Sequence, residues 1–225
     1  MGLILCIETS TKACSTALCR DGSIIASEFL FNGEYLHAES LNPMISDLLS
    51  GSSVAFNQLD AIAISQGPGS YTGLRIGTST AKGLCFALDI PLIAIDTLQL
   101  IAKAAKQEQP ADRYIAMMDA RRMEVYTKIF DTNLQAITKA EALILDEKSF
   151  SDFKKESLTV FCGDGALKAK SLFEKSNFIF LPEIHPKAEF MVELAEEKFS
   201  NGQFEDTAYF EPFYLKEFHT PQPKS

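Results

Sequence analysis

The amino-acid sequence predicts an α/β protein of two unequal lobes, and three observations carry that prediction. Apolar, strand-like runs open the chain and meet at Asp21-Gly22, a dipeptide that favours a tight hairpin. The run Ala61-Ile62-Ala63-Ile64 passes through Gly67-Pro68-Gly69 into a long segment of helix formers and small residues, a strand–turn–helix unit. Past a polar stretch at 107–112 the strand-like runs begin again.

The elements follow in order. Residues 2–7 are apolar throughout and predict a central strand, because a strand covered on both faces loses its alternation. Glu8-Thr9-Ser10-Thr11 reads as a polar turn. Residues 14–20 and 23–31 are the arms of the Asp21-Gly22 hairpin. Leu41, Met44, Ile45, Leu48 and Leu49 recur at helical spacing and predict a helix over 35–50, kinked or divided at Pro43. A strand at 61–64 precedes the Gly-Pro-Gly turn, and a helix at 72–88 follows it. Pro91 introduces a fifth strand at 92–95, and 97–106 predicts a third helix. Residues 107–112 read as a linker. Beyond it, strands at 114–118 and 124–130 flank a turn at 119–122. Further strands are predicted at 140–145 and 158–162, with helices at 149–156 and 188–199. The aromatic tail at 209–215 is expected to lie across the second lobe.

The first half therefore reads β-β-β-α-β-α-β-α. A three-stranded meander followed by two right-handed parallel crossovers gives a mixed five-stranded sheet with helices on its faces. That is the ribonuclease-H-like plan, which actin-like ATPases duplicate, binding ATP in the cleft between the halves. The expected architecture is thus an actin-like (ASKHA) duplicated fold. A full N-terminal lobe spans 1–106 and a smaller, degenerate α/β lobe spans 113–225.

Composition narrows the function. Of 225 residues, 46% are hydrophobic and 23% charged, an ordinary globular balance. The formal net charge of −9 argues against gripping nucleic acid unaided, since neutralising phosphates takes clustered Lys and Arg. The five cysteines include no Cys-x-x-Cys pair and read as small buried thiols of a reducing compartment. Glu8 interrupts the first apolar run, no Lys or Arg precedes it, and no run approaches the ~20 residues of a membrane span. A cytoplasmic protein with no membrane contact is the expectation.

A set of motifs spread over the chain carries a specific resemblance. They are Leu5-Cys6-Ile7-Glu8-Thr9-Ser10 with Ala13-Cys14-Ser15-Thr16-Ala17-Leu18, His37-Ala38-Glu39-Ser40-Leu41-Asn42-Pro43, and Gly67-Pro68-Gly69-Ser70-Tyr71-Thr72-Gly73-Leu74-Arg75-Ile76-Gly77. Asp119-Ala120-Arg121-Arg122-Met123-Glu124-Val125-Tyr126 and Pro212-Phe213-Tyr214-Leu215-Lys216 complete them. Together they resemble the TsaB (YeaZ) family, which serves the synthesis of threonylcarbamoyladenosine at position 37 of tRNA. The resemblance implies a non-catalytic scaffold or activator that binds the paralogous transferase TsaD and, with it, the ATPase TsaE. It implies a homodimer when the protein is alone, tRNA contact only through the complex, and no cofactor of its own, with ATP or ADP held at the shared interface. Two other readings stand beside it: an ATP-dependent phosphotransferase of the actin-like fold, and a metal-dependent peptidase or transferase.

The second alternative meets a specific obstacle. TsaD-like proteins carry a His-x-x-x-His pair on the helix after the fifth strand, where i and i+4 side chains can share a metal. Here Thr97 and Ile101 occupy those positions, and the three histidines, His37, His185 and His219, have no ligand spacing between them. No catalytic residue and no metal site is expected.

The candidate sites are therefore surfaces and vestiges. Glu8, Thr9 and Ser10, together with Asp164 in Gly163-Asp164-Gly165, stand where the duplicated plan puts its phosphate loops, and each also reads as a self-capped turn. Gly73, Gly77 and Ala81 fall at i, i+4 and i+8, a stripe without bulk that suits close approach of a helix or packing on the protein's own sheet. Arg75, Thr78, Ser79 and Lys82 lie on a neighbouring face, where they suit the polar rim of an interface or simply face water. The resemblance places the first two helices at the interface with TsaD or with a second copy. The expected interface set is His37, Leu41, Met44, Ile45, Leu48, Gly73, Leu74, Arg75, Gly77, Thr78, Ala81 and Lys82. The charged tip from Asp119 to Glu124 reads as a solvated turn with local ion pairs.

Overall fold

The computed structural model describes residues 2–31, 33, 36–151, 157–173 and 178–216. Its first sheet contains β1 (Leu3–Glu8), β2 (Cys14–Arg20), β3 (Ser23–Leu30), β4 (Ala61–Gly67) and β5 (Leu92–Asp96), in the order β3-β2-β1-β4-β5. The β1–β2 and β2–β3 pairs are antiparallel, and β1–β4 and β4–β5 are parallel. Asp21 (φ 53°) and Gly22 (φ 75°) both take positive φ, as the hairpin turn requires.

Central strand β1 is buried along its whole length because its two faces meet different layers. Leu3, Leu5 and Ile7 join Leu18, Ile62 and Ile64 under helices α1 (His37–Gly51) and α2 (Tyr71–Leu88). Ile4 and Cys6 join Ala17, Ala63, Ile93 and Ile95 on the other face. Helix α1 runs through Pro43 without interruption, so the division that was one of the two outcomes expected there does not occur. Pro43 lies on the exposed side, where the carbonyl it leaves without an amide partner can reach water.

The second sheet repeats the first. Strands β6 (Arg113–Asp119), β7 (Glu124–Asp131), β8 (Glu141–Ile144), β9 (Thr159–Cys162) and β10 (Ile179–Leu181) run in the order β10-β9-β6-β7-β8. With β6 in the place of β1, the neighbours and directions match strand for strand. The copy is reduced: β8, β9 and β10 have four, four and three residues, against eight, seven and five in β3, β4 and β5. Helix α4 (Ala166–Phe173) has eight residues where α2 has 18. Of the helix expected at 149–156, residues 149–151 form turns and 152–156 lie outside the described residues.

Helix α3 (Thr97–Glu108) is the wall shared by the lobes. Leu100 faces the first sheet, and Leu98, Ile101, Ala102 and Ala105 face Tyr114, Ala116, Phe130 and Val160 of the second. The helix expected at 188–199 begins as a 3₁₀ turn, Ala188–Met191, and continues as α5 (Val192–Ser200). It packs on the first sheet, closing the face of Ile4 and Cys6 with Ala188, Met191 and Val192. Lys103 of α3 and Glu193 of α5 pair at 2.7 Å. Asp96 holds the start of α3, one carboxylate oxygen accepting from the amides of Leu98 and Gln99 and the other pairing at 2.6 Å with Lys128 of the second sheet.

The tail departs from expectation. It runs along the first lobe: Lys82 of α2 donates to the carbonyls of Ala208 and Phe210, and the Phe213 amide donates to the Gln66 carbonyl. Lys216 reaches the second lobe, where it pairs with Glu124. The Phe213 carbonyl occupies the space a side chain at Gly67 would need, 2.6 Å from the Cβ position, and so the tail requires glycine there.

Candidate functional site

The turn after β1 is closed by its own chain. Glu8, Thr9 and Ser10 are fully buried. The Ser10 amide donates to Glu8 Oε1 at 2.5 Å, and the Ser10 carbonyl accepts from the Ser70 amide at 2.7 Å. Thr9 Oγ1 donates to the Gly73 carbonyl at 2.9 Å. Burial pushes the Glu8 carboxyl up to about 7, against the smaller opposing pull of Ser10 and Ser65. A cradle for phosphate presents free amides. Here the Ser10 amide is committed to Glu8, and the N-terminus of α2 covers the turn.

In the second lobe the matching turn lies open. Asp164 accepts from the Asp119 amide at 2.8 Å. The residue is exposed, yet its carboxyl is crowded; that desolvation, with Asp119 adjacent, raises its pKa against the pull of the Asp119 and Gly165 amides. Asp119 also accepts from Lys168 at 2.8 Å and from the Arg121 amide at 2.7 Å. Arg121 (φ 71°) and Arg122 (φ 50°) form a left-handed tip that two non-glycine residues rarely share.

The glycine stripe of α2 faces inward. A Cβ at Gly73 would run into the Thr9 carbonyl, and one at Gly77 into the Thr9 hydroxyl. The close approach those glycines permit is therefore used by the chain's own turn; of the two readings of the stripe, packing within the protein holds, and Gly73, Gly77 and Ala81 are not open for a second helix. Leu41, Met44, Ile45, Leu48, Leu74, Thr78 and Ala81 are likewise buried. His37 is buried too; its Nε2–H donates to the Thr11 carbonyl at 2.6 Å, and burial lowers its pKa. Of the expected interface set, only Arg75 and Lys82 reach solvent. The Arg75 guanidinium sits 4.1 Å from the Tyr71 ring centre, and Lys82 is tied to the tail.

What the two helices leave open is a different line: Thr72, Arg75, Ser79, Gly83 and Phe86, all exposed on α2. Beside it runs a surface concavity of about 410 Å³, lined by Asn42, Ile45, Phe56, Thr80, Gly83 and Leu84 among others. Sequence reading passed over Gly83 because it falls off the four-residue spacing that begins at Gly73. The available signal was Gly83 followed by Phe86 one turn later.

The positions of the absent histidine pair serve packing. Thr97 Oγ1 accepts from the Gly67 amide at 3.2 Å, and Ile101 lies in the core shared with the second sheet. Among the described residues no group of three or more His, Cys, Asp or Glu could hold a metal ion, and no helix is long and apolar enough to cross a membrane.

Comparison with known proteins places this geometry. Residues 34–217 match the family model TsaD, tRNA N6-adenosine threonylcarbamoyltransferase. The tRNA threonylcarbamoyladenosine biosynthesis protein TsaB of Escherichia coli K12 is 33% identical over 95% of this chain and 94% of its own. The Haemophilus influenzae TsaB is 31% identical over 95% and 93%. Among solved structures, YeaZ from Pseudomonas aeruginosa superposes with a TM-score of 0.85 at 31% identity, over 96% of this chain and all of that one. The chain belongs to the TsaB (YeaZ) family, within the group described by the TsaD model.

Proposed function

We propose that this protein is a non-catalytic subunit in tRNA threonylcarbamoyladenosine synthesis. It docks a TsaD-like transferase on the α1–α2 face and, with it, serves a TsaE-like ATPase. The observation that carries the reading is the sealed 8–10 turn: the phosphate-loop position of the first lobe is filled by Glu8, Thr9 and Ser10 under α2. The open Gly83–Phe86 line on the same helix supports a docking role. The net charge of −9 supports tRNA contact through the partner rather than through this chain. On this reading the protein holds no cofactor of its own, and any ATP or ADP sits at the shared interface. It works in the cytoplasm.

Two measurements test it. Titration of ATP with Mg²⁺ into the isolated protein yields no heat of binding in the micromolar range, whereas micromolar binding with turnover would favour the phosphotransferase. Size exclusion with light scattering on a mixture with the TsaD-like subunit of the same cell yields a one-to-one complex. Failure to form it, with nucleotide and the TsaE-like ATPase added, overturns the docking role.

A further inference from the structure

The charged tip between β6 and β7 has no part in the docking face. Arg121 (φ 71°) and Arg122 (φ 50°) both stand in the left-handed region, which glycine, asparagine and aspartate enter far more readily than arginine. Two arginines are the wrong residues for this turn alone. The backbone is nevertheless held in shape from several sides. The Arg121 amide donates to Asp119 at 2.7 Å, the Glu124 amide to the Arg121 carbonyl at 3.1 Å, and the Leu145 amide to the Met123 carbonyl at 2.8 Å. Strain that the neighbouring structure maintains points to a use for the side chains that bear it.

The charges single out the same two residues. The three carboxylates of the junction already have donors. Asp119 takes Lys168 at 2.8 Å, Glu124 takes Lys216, and Asp164 takes the Asp119 amide at 2.8 Å. Arg121 and Arg122 are exposed, and among the described residues neither guanidinium forms a hydrogen bond or an ion pair. On a chain with 30 Asp and Glu against 21 Lys and Arg, two adjacent arginines without a carboxylate invert the local sign. Their planar forks suit an anion that offers several oxygens at once.

We propose that Arg121 and Arg122 contact phosphates of the tRNA while the chain sits in its complex. This goes beyond the function proposed above and rests on it. Of the partners in that reading, RNA is the one whose negative charge is fixed by its chemistry. The net charge of −9 keeps the chain off RNA when it is alone. The tip therefore adds its contact only after the transferase subunit has brought the RNA in, and it positions the RNA without reading its bases.

Fluorescence anisotropy over a salt series tests the contact. It uses the complex with the TsaD-like subunit and an unmodified tRNA transcript with adenosine at position 37. Arg121→Ala with Arg122→Ala raises the RNA dissociation constant about 10-fold and lowers the slope of log Kd against log salt by about 1.5, the share of two phosphates. Light scattering shows the protein complex of that variant intact. Arg121→Lys with Arg122→Lys keeps the slope, because both charges stay. Arg121→Asn with Arg122→Gly fits the left-handed turn, so it melts no lower than wild type while binding RNA as weakly as the alanine pair. An alanine pair that binds RNA with the wild-type constant and slope overturns this inference alone and leaves the docking role standing. An alanine pair that breaks up the protein complex also overturns it and makes the tip a protein contact. A wild-type complex that does not bind the transcript overturns the inference, and failure to form that complex overturns the docking role with it.

Discussion

The two lobes close the same junction in opposite ways. Strands β1 and β6 hold the same place in matching sheets, and each ends on a carboxylate, Glu8 or Asp119. The next parallel strand is followed by Gly67-Pro68-Gly69 in one lobe and Gly163-Asp164-Gly165 in the other. In the first lobe the 18-residue α2 lies over the junction, Glu8 is fully buried, and its carboxylate accepts from the Ser10 amide. In the second, the eight-residue α4 supplies Lys168, which pairs with an Asp119 whose side chain is 45% exposed. Strand order alone therefore says little about what a junction can do. What covers the junction decides whether its carboxylate is a solvated partner in an ion pair or a buried acid without a cation.

The largest expected contrast is in pH dependence. Moved from its ordinary 4.5 to about 7, Glu8 binds a proton in the folded state that the unfolded chain releases. Below pH 4.5 both states are protonated and nothing is lost. Stability then falls as pH rises, and above 7 the full penalty of about 3 kcal/mol is present. Glu8→Gln keeps an acceptor for the Ser10 amide and removes that penalty. Its stability relative to wild type should rise by about 3 kcal/mol between pH 4 and pH 8, measured by urea unfolding. A difference that does not vary with pH would mean that Glu8 is not buried as an acid.

Next come the glycines of α2. Gly73→Ala forces a methyl group against the Thr9 carbonyl and should cost about 3 kcal/mol, as overpacking against backbone does. Gly83→Ala, in open space on the same helix, should instead gain about 1 kcal/mol. Thermal melts of the two variants would move in opposite directions. Equal shifts would contradict the assignment of an inward and an outward glycine line.

The smallest effect belongs to the second junction. Asp119→Asn weakens a half-exposed pair with Lys168 while the Arg121 amide keeps an acceptor, and should cost no more than about 1 kcal/mol. A loss in the melt as large as that of Gly73→Ala would show that this junction is as tightly built as the first.

The first lobe was legible because its signals are local. The uninterrupted run at 2–7, Asp21-Gly22 and the Gly-Pro-Gly turn each fix backbone geometry over a few residues. In the second lobe β10 has three residues and α4 eight, too short for periodicity to speak, although Phe178-Ile179-Phe180-Leu181 is an apolar run that could have been read as a strand. Periodicity also reported that Gly73, Gly77 and Ala81 share a line without reporting what fills it. The answer, Thr9, is more than 60 residues away in sequence and is a tertiary contact. The tail was misplaced for the same reason: its partners Gln66 and Lys82 bind it through backbone carbonyls and an amide, which leave no mark on side-chain pattern.

The most direct test of the account is light scattering on the chain mixed with its TsaD-like transferase subunit, for wild type and two folded variants. The account predicts a one-to-one complex for wild type and for Asp119→Asn, and its loss for Phe86→Asp. A complex that survives Phe86→Asp and disappears with Asp119→Asn would move the docking surface to the second lobe and contradict it.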